Sequence, residues 1–105
     1  MKLLTKQIER QLAKAPLYST EDSEEKKIIC KFFFGSFTWY VIEAELQENG
    51  DWLFFGIVDN AGNKEYGYFT QSQLQSVTWR GWHCVERDVH FKPTVIKNIN
   101  KVSNL

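Results

Sequence analysis

No run of about 18 apolar residues occurs in this 105-residue chain, so the sequence offers no helix able to cross a bilayer. At the start, Met1-Lys2-Leu3-Leu4-Thr5-Lys6 holds only a leucine pair, too short for the apolar core of a signal peptide, and the reading places the protein in the cytoplasm with no membrane partner. Charge of one sign is also missing: 13 basic residues balance 13 acidic ones. No net field steers the chain toward nucleic acid or an anionic membrane, and it is not acidic enough for a DNA mimic. Cysteine is scarce. Cys30 and Cys84 lie in separate apolar segments without CxxC spacing and read as free thiols of a reducing compartment. A disulfide between them would need their Cα atoms to approach closely. With two histidines and two cysteines outside finger-like spacing, structural zinc finds no support. Neither GxGxxG nor GxxxxGK[ST] occurs, so nothing announces a phosphate cradle, and the sequence points to no cofactor. Internal repeats and low-complexity stretches are absent.

Aromatic residues are abundant. Sixteen Phe, Tyr and Trp lie between Tyr18 and Phe91, enough to supply much of a core. The length fits one domain, with a core over about residues 3–92 and a polar tail over 93–105. Thr5 caps a helix over 5–14, in which Leu4, Ile8 and Leu12 recur on one face; Pro16 ends it. Residues 18–27 read as an exposed, acidic connection. Strands follow over 28–34, 37–46, 52–59 and 64–69, separated by turns at Gly35-Ser36, at Glu48-Asn49-Gly50-Asp51 and at Asn60-Ala61-Gly62-Asn63. Thr70 and Gln73 have capping-box spacing ahead of a short helix over 71–77. Trp79-Arg80-Gly81-Trp82 reads as a loop and residues 84–91 as a fifth strand, interrupted by Pro93. Beyond it Val95, Ile99 and Val102 are spaced for a weak amphipathic turn. The expected fold is therefore α+β: an antiparallel meander of about five strands, a leading helix, and a short helix before the last strand.

The ordered set Leu3-Leu4-Thr5, Pro16-Leu17-Tyr18-Ser19-Thr20-Glu21, Thr38-Trp39-Tyr40 with Glu43, Phe54-Phe55-Gly56, Gly67-Tyr68-Phe69 and Glu86-Arg87-Asp88 resembles a family of short bacterial proteins known only as a domain of unknown function. The likeness runs from about Leu3 to Phe91. It implies a bacterial, intracellular accessory protein, often encoded on plasmids and other mobile elements. It implies no activity, cofactor or catalytic residue. The chain departs from the family's usual look at Trp79-Arg80-Gly81-Trp82, where fewer aromatics are expected.

Strict alternation along 37–46 puts Tyr40, Ile42, Ala44 and Leu46 on one face, and Phe37, Trp39, Val41, Glu43 and Glu45 on the other. Alternation along 84–91 puts Cys84, Glu86, Asp88 and His90 together, a set that would suit a divalent metal; the plainer reading is the wet side of a half-buried strand. Arg87 then falls on the apolar side and needs a partner, for which Glu43, Glu45 or Glu65 are candidates. A Cys84–His90 nucleophile fails, because six residues of strand span about 20 Å. Gly56 and Gly67, inside strands beside aromatics, read as bulges or close packing. Trp79, Arg80 and Trp82 have three readings: a cap on the sheet's open end, a protein-contact patch, or a stacking surface for unpaired bases. Tyr18, Trp39, Tyr40 and Tyr68 read as a second aromatic patch or as core. The reading that results is a non-enzymatic, protein-binding accessory module, whose candidate residues are Trp79, Arg80, Trp82, Glu86, Arg87, Asp88, Tyr18, Trp39, Tyr40 and Glu43. The alternatives are a small metal-assisted hydrolase on Glu86, Asp88 and His90, or a single-stranded nucleic-acid binder on the aromatic loop.

Overall fold

Thr5 opens helix α1 (Lys6–Ala13): its Oγ1 accepts the Ile8 N–H at 3.1 Å, pairing a donor that a helix start leaves unsatisfied. The structure, a computed structural model, describes residues 2–22 and 26–96. On the inner face of α1, Leu12 is fully buried with Leu4, and Ile8 packs beside them. After Pro16 come β1 (Lys27–Ile28), β2 (Cys30–Phe34), β3 (Phe37–Leu46), β4 (Trp52–Asn60) and β5 (Asn63–Thr70). Then follow α2 (Gln71–Ser76), β6 (Thr78–Trp79), β7 (Trp82–His83), β8 (Glu86–Arg87) and β9 (Thr94–Val95). The main sheet is five-stranded and antiparallel, in the order β5-β4-β3-β2-β8, so the α+β meander expected from the turns is present. The capping box before α2 is complete: the Gln73 N–H donates to Thr70 Oγ1, and the Thr70 N–H to Gln73 Oε1. Among the described residues, no helix is long and apolar enough to cross a membrane.

Three expected element boundaries need correction. The strand expected over 28–34 is broken at Ile29, whose N–H goes to the Val41 carbonyl at 2.8 Å while β1 turns away to pair with β9. The strand expected over 84–91 shrinks to Glu86–Arg87, the only stretch that finds a ladder partner, in Phe32 and Phe33 of β2. Finally, the chain past Pro93 re-enters the fold: Thr94–Val95 pairs with Lys27–Ile28, and Ile96 is buried. Ile99 and Val102 lie outside the described residues.

The middle of β3 carries the feature that organises everything near it. Val41 pairs with Gly56, but the next register partner is Glu43 with Phe55, so Ile42 is an extra residue, a β-bulge. From that point strict alternation fails. Trp39, Val41 and Ala44 pack in the large core with Phe32, Phe54, Phe69, Leu74 and Val85. Tyr40 and Ile42 join Ile28, Ile57 and Ile96 in a smaller core on the opposite face. Both sides of this strand are therefore covered, and Glu43 turns to the face of Tyr40. Beyond the end of β2, the Ala44 N–H donates to the Ala15 carbonyl at 3.0 Å, so the exit of α1 covers the open edge of β3.

Cys30 and Cys84 are both free thiols. Burial pushes Cys30 up to about 12, with the charge of Arg87 acting weakly the other way. A thiolate-directed reagent should therefore modify the partly exposed Cys84 of the folded chain, and Cys30 only after denaturant is added. Mass spectrometry of peptides from native and denatured samples checks this; equal labelling of both under native conditions contradicts it.

Candidate functional site

Glu43 is the one charged residue buried as a whole among the described residues, at 3% exposure. Its carboxylate accepts the Tyr18 N–H on Oε1 at 2.8 Å, the Thr20 N–H on Oε2 at 2.8 Å, and the Thr20 hydroxyl on Oε2. The Lys26 ammonium reaches the Thr20 carbonyl at 2.6 Å and adds a favourable charge. Burial works to raise the Glu43 carboxyl, but the Thr20 and Tyr18 donors and Lys26 outweigh it and hold the group below its ordinary value. An ionised carboxylate with three donors already on it has no proton to give and little basicity to offer. It acts as an anchor that fastens the α1–β1 connection to the sheet. Tyr18 is held at φ 71°, a left-handed conformation uncommon for a bulky residue, between the helix exit and this anchor.

Across three strands Glu43, Phe55 and Tyr68 are register neighbours on one face, and with Tyr18, Thr20, Glu21 and Lys26 they line a cleft of about 300 Å³. The Tyr18 and Tyr68 rings are 65% and 52% exposed at its mouth. Pairing with the Tyr18 phenol, which favours the protonated Tyr68, holds the Tyr68 phenol above its ordinary value, and partial desolvation and the nearby Tyr18, Glu43 and Glu21 oxygens act in the same direction. Phe55 lies 5.1 Å from Tyr68 and 5.8 Å from Tyr66, tilted on the first ring and stacked on the second. The structure thus joins Tyr18 to Glu43; Trp39 lies on the other face of the sheet, and Tyr40, on the face of Glu43, lies outside the cleft lining. Trp39 is buried in the large core, stacked on Phe37 at 5.6 Å; Tyr40 is buried on the opposite face, with Lys31 over its ring at 5.8 Å. Thr20, Glu21, Lys26 and Phe55 belong to the cleft and are not among the candidate residues of the sequence, although Thr20, Glu21 and Phe55 stand in the segments that carry the family resemblance. What brings them to Glu43 is the register across the bulge, which no local pattern reveals.

The second candidate region is not a loop. Trp79 and Trp82 are register partners of a two-stranded hairpin, joined by Arg80 and Gly81 at φ 53° and 82°. Positive φ at both central residues is the turn that matches strand twist, and glycine at the second makes it accessible. The hairpin is fastened at its base: His83 Nδ1 contacts the Gln75 carbonyl at 2.7 Å, and the Cys84 N–H and Sγ both donate to the Val77 carbonyl at 3.4 Å. At its tip Trp79 and Trp82 stand 60% and 77% exposed, so they do not cap the sheet. The Arg80 guanidinium sits 5.5 Å from the Trp79 ring.

Glu86, Arg87 and Asp88 part company, because the strand ends after Arg87. Glu86 is exposed opposite Phe33. Arg87 lies opposite Phe32, on the large-core face, and donates to the Lys2 and Leu3 carbonyls at 2.5 and 3.1 Å. The bulge turns Glu43, one of the three partners expected for Arg87 beside Glu45 and Glu65, to the other face. Asp88 donates its N–H to the Lys31 carbonyl, stands 3.7 Å from the Lys31 ammonium, and accepts the His90 N–H at 3.0 Å. That last bond closes a turn and removes Asp88 and His90 from strand geometry. Among the described residues, no three of His, Cys, Asp and Glu come together as a metal site would require.

No curated protein and no solved structure matches the chain. A family model described as "Protein of unknown function (DUF2958)" matches residues 3–99. Covering nearly the whole sequence, from the start of α1's apolar face past the buried Ile96, it shows that the chain belongs to that family.

Proposed function

We propose that this protein is a non-enzymatic accessory module that binds a protein partner through the Trp79–Trp82 hairpin. The observation that carries the reading is a pair of tryptophans held in register on a fastened two-residue hairpin, most of their surface open to water. Trp and Arg dominate interface hot spots, and a rigid mount spares the ordering entropy that a loop would lose on binding. Balanced charge favours a protein partner over nucleic acid. The engaged state of Glu43 and the separation of Glu86, Asp88 and His90 leave these candidates unassembled as a catalytic set, which supports binding over catalysis. The resemblance drawn from sequence supports a bacterial, cytoplasmic setting and an origin on mobile elements.

Photo-crosslinking tests this in host cells, with a photoreactive residue in place of Arg80 and a second chain labelled at Glu48 as reference. One protein should dominate the Arg80 adducts, and Trp79→Ala with Trp82→Ala should abolish them. With that partner purified, each tryptophan should account for about 2 kcal/mol, roughly thirtyfold in Kd. Both rings are exposed, so the double variant should melt within a few degrees of wild type. A folded double variant that binds as wild type does, or an Arg80 adduct that is RNA or DNA with salt-dependent affinity, overturns the reading.

A further inference from the structure

We propose that strand β5 is a dimerisation edge, pairing antiparallel with β5 of a second copy of this chain about a two-fold axis at Gly67. The inference is independent of the tryptophan hairpin. β5 is the terminal strand of the main sheet. Asn60 and Asn63 close the two-residue β4–β5 turn, so the pairs 60/63, 58/65, 56/67 and 54/69 exchange the ladder hydrogen bonds. The N–H and C=O groups of Tyr66 and Tyr68 therefore point away from β4. The same phase sends the Thr70 N–H outward, where it is taken by Gln73 Oε1. Among the described residues, nothing takes the outward groups of Tyr66 and Tyr68. Both side chains are 52% exposed on the same face of the sheet. The devices that blunt sheet edges are missing from the Tyr66-Gly67-Tyr68 stretch, which holds neither proline, nor charge, nor bulge.

A second copy fits this edge because the edge is complementary to itself. With the axis at Gly67, Tyr66 meets Tyr68 of the second copy and Tyr68 meets Tyr66, and each pair exchanges two hydrogen bonds. Gly67 then faces its own mate at a non-hydrogen-bonded position, where Cα atoms approach to about 4.5 Å. A Cβ built there meets nothing within 4 Å in its own chain, so the approach is unobstructed from within. The rings of Tyr66, Tyr68 and Phe55 continue across the axis as one aromatic row. Glu65 faces Phe69 of the second copy, whereas a register centred on Glu65 would oppose like charges. The contact is short, so the dimer is weak and concentration-dependent.

Sedimentation equilibrium over a wide concentration range should show a reversible monomer–dimer equilibrium. Tyr66→Lys with Tyr68→Lys should raise its Kd at least about tenfold, by placing ammonium groups across the axis. In a Cys84→Ser background, Gly67→Cys should oxidise to a covalent dimer at least about tenfold faster than Glu65→Cys, because only residue 67 brings the Cα atoms within disulfide range. Three results would each overturn the proposal: a monomer at every concentration, a dimer indifferent to the lysine pair, or equal cross-linking at the two cysteine positions. The first would leave the edge to an extended strand of another protein.

Discussion

Replacing Gly56 by alanine should cost at least about 3 kcal/mol, a large share of the stability of a domain whose total is only about 5–15 kcal/mol. A Cβ built at Gly56 stands 1.7 Å from the Tyr40 carbonyl oxygen, 2.8 Å from its carbon and 3.2 Å from Val41 Cα. All three are backbone atoms, and no side chain can rotate to make room. The bulge at Ile42 drives the β3 backbone across this position, and Gly56 sits opposite it in the middle of β4, so relief requires moving the central strands of the sheet. Gly67, its register partner on β5, is the control. Its Cβ position is open, and alanine there should be neutral or stabilising by up to about 1 kcal/mol through the unfolded chain. Urea denaturation of the two variants compares them directly. Similar midpoints would mean that the bulge is not rigid and that β3 can re-register without it.

This pair of glycines also marks where sequence stops being informative. Elements specified by local chemistry were legible: Thr5 as a cap, Pro16 as a stop, the tight turns of the meander, and the Thr70–Gln73 capping box all do in the fold what their residue types suggest. The bulge was not, because both faces of the middle of β3 are buried. The run Trp39-Tyr40-Val41-Ile42 is apolar throughout and shows no slip in phase. One undetected residue inverted every side-chain assignment beyond it. The alternation placed Glu43 on the face of Arg87, whereas the bulge puts it on that of Tyr40, so the anchoring of Tyr18 and Thr20 went unseen. The last strand failed for a different reason. Its alternating pattern is real, yet a ladder needs a neighbour, and β2 offers one only at Phe32 and Phe33. The hairpin at Trp79–Trp82 was hidden because its turn puts arginine, not asparagine or aspartate, at a positive-φ position.

The second large effect follows from Glu43. Glu43→Gln should destabilise the fold by about 2–3 kcal/mol, because the amide nitrogen that replaces one carboxylate oxygen is a donor and faces a donor, leaving a backbone N–H of Tyr18 or Thr20 unsatisfied. Glu43→Ala, which removes both acceptors and opens a cavity, should cost about 3–5 kcal/mol. The loss has a pH signature. Burial favours the neutral acid, but the Thr20 and Tyr18 donors and the Lys26 charge hold the folded carboxyl below its unfolded value near 4.5. A folded-state value that is depressed stabilises the native chain above the unfolded value, and the contribution fades as pH falls through the folded one. Wild type should therefore lead Glu43→Gln by its full margin at neutral pH, and the margin should narrow in acid as the wild-type carboxyl takes up its proton. Denaturation midpoints measured from neutral to acid pH check this. The residues after Pro16 provide a local readout, since Tyr18 is held at its positive φ between the helix exit and this anchor. Proteolysis of the variant should begin in that segment before the sheet opens. Curves that run parallel at every pH, with no new cleavage near Tyr18, would show that Glu43 fills space in the cleft floor and fastens nothing.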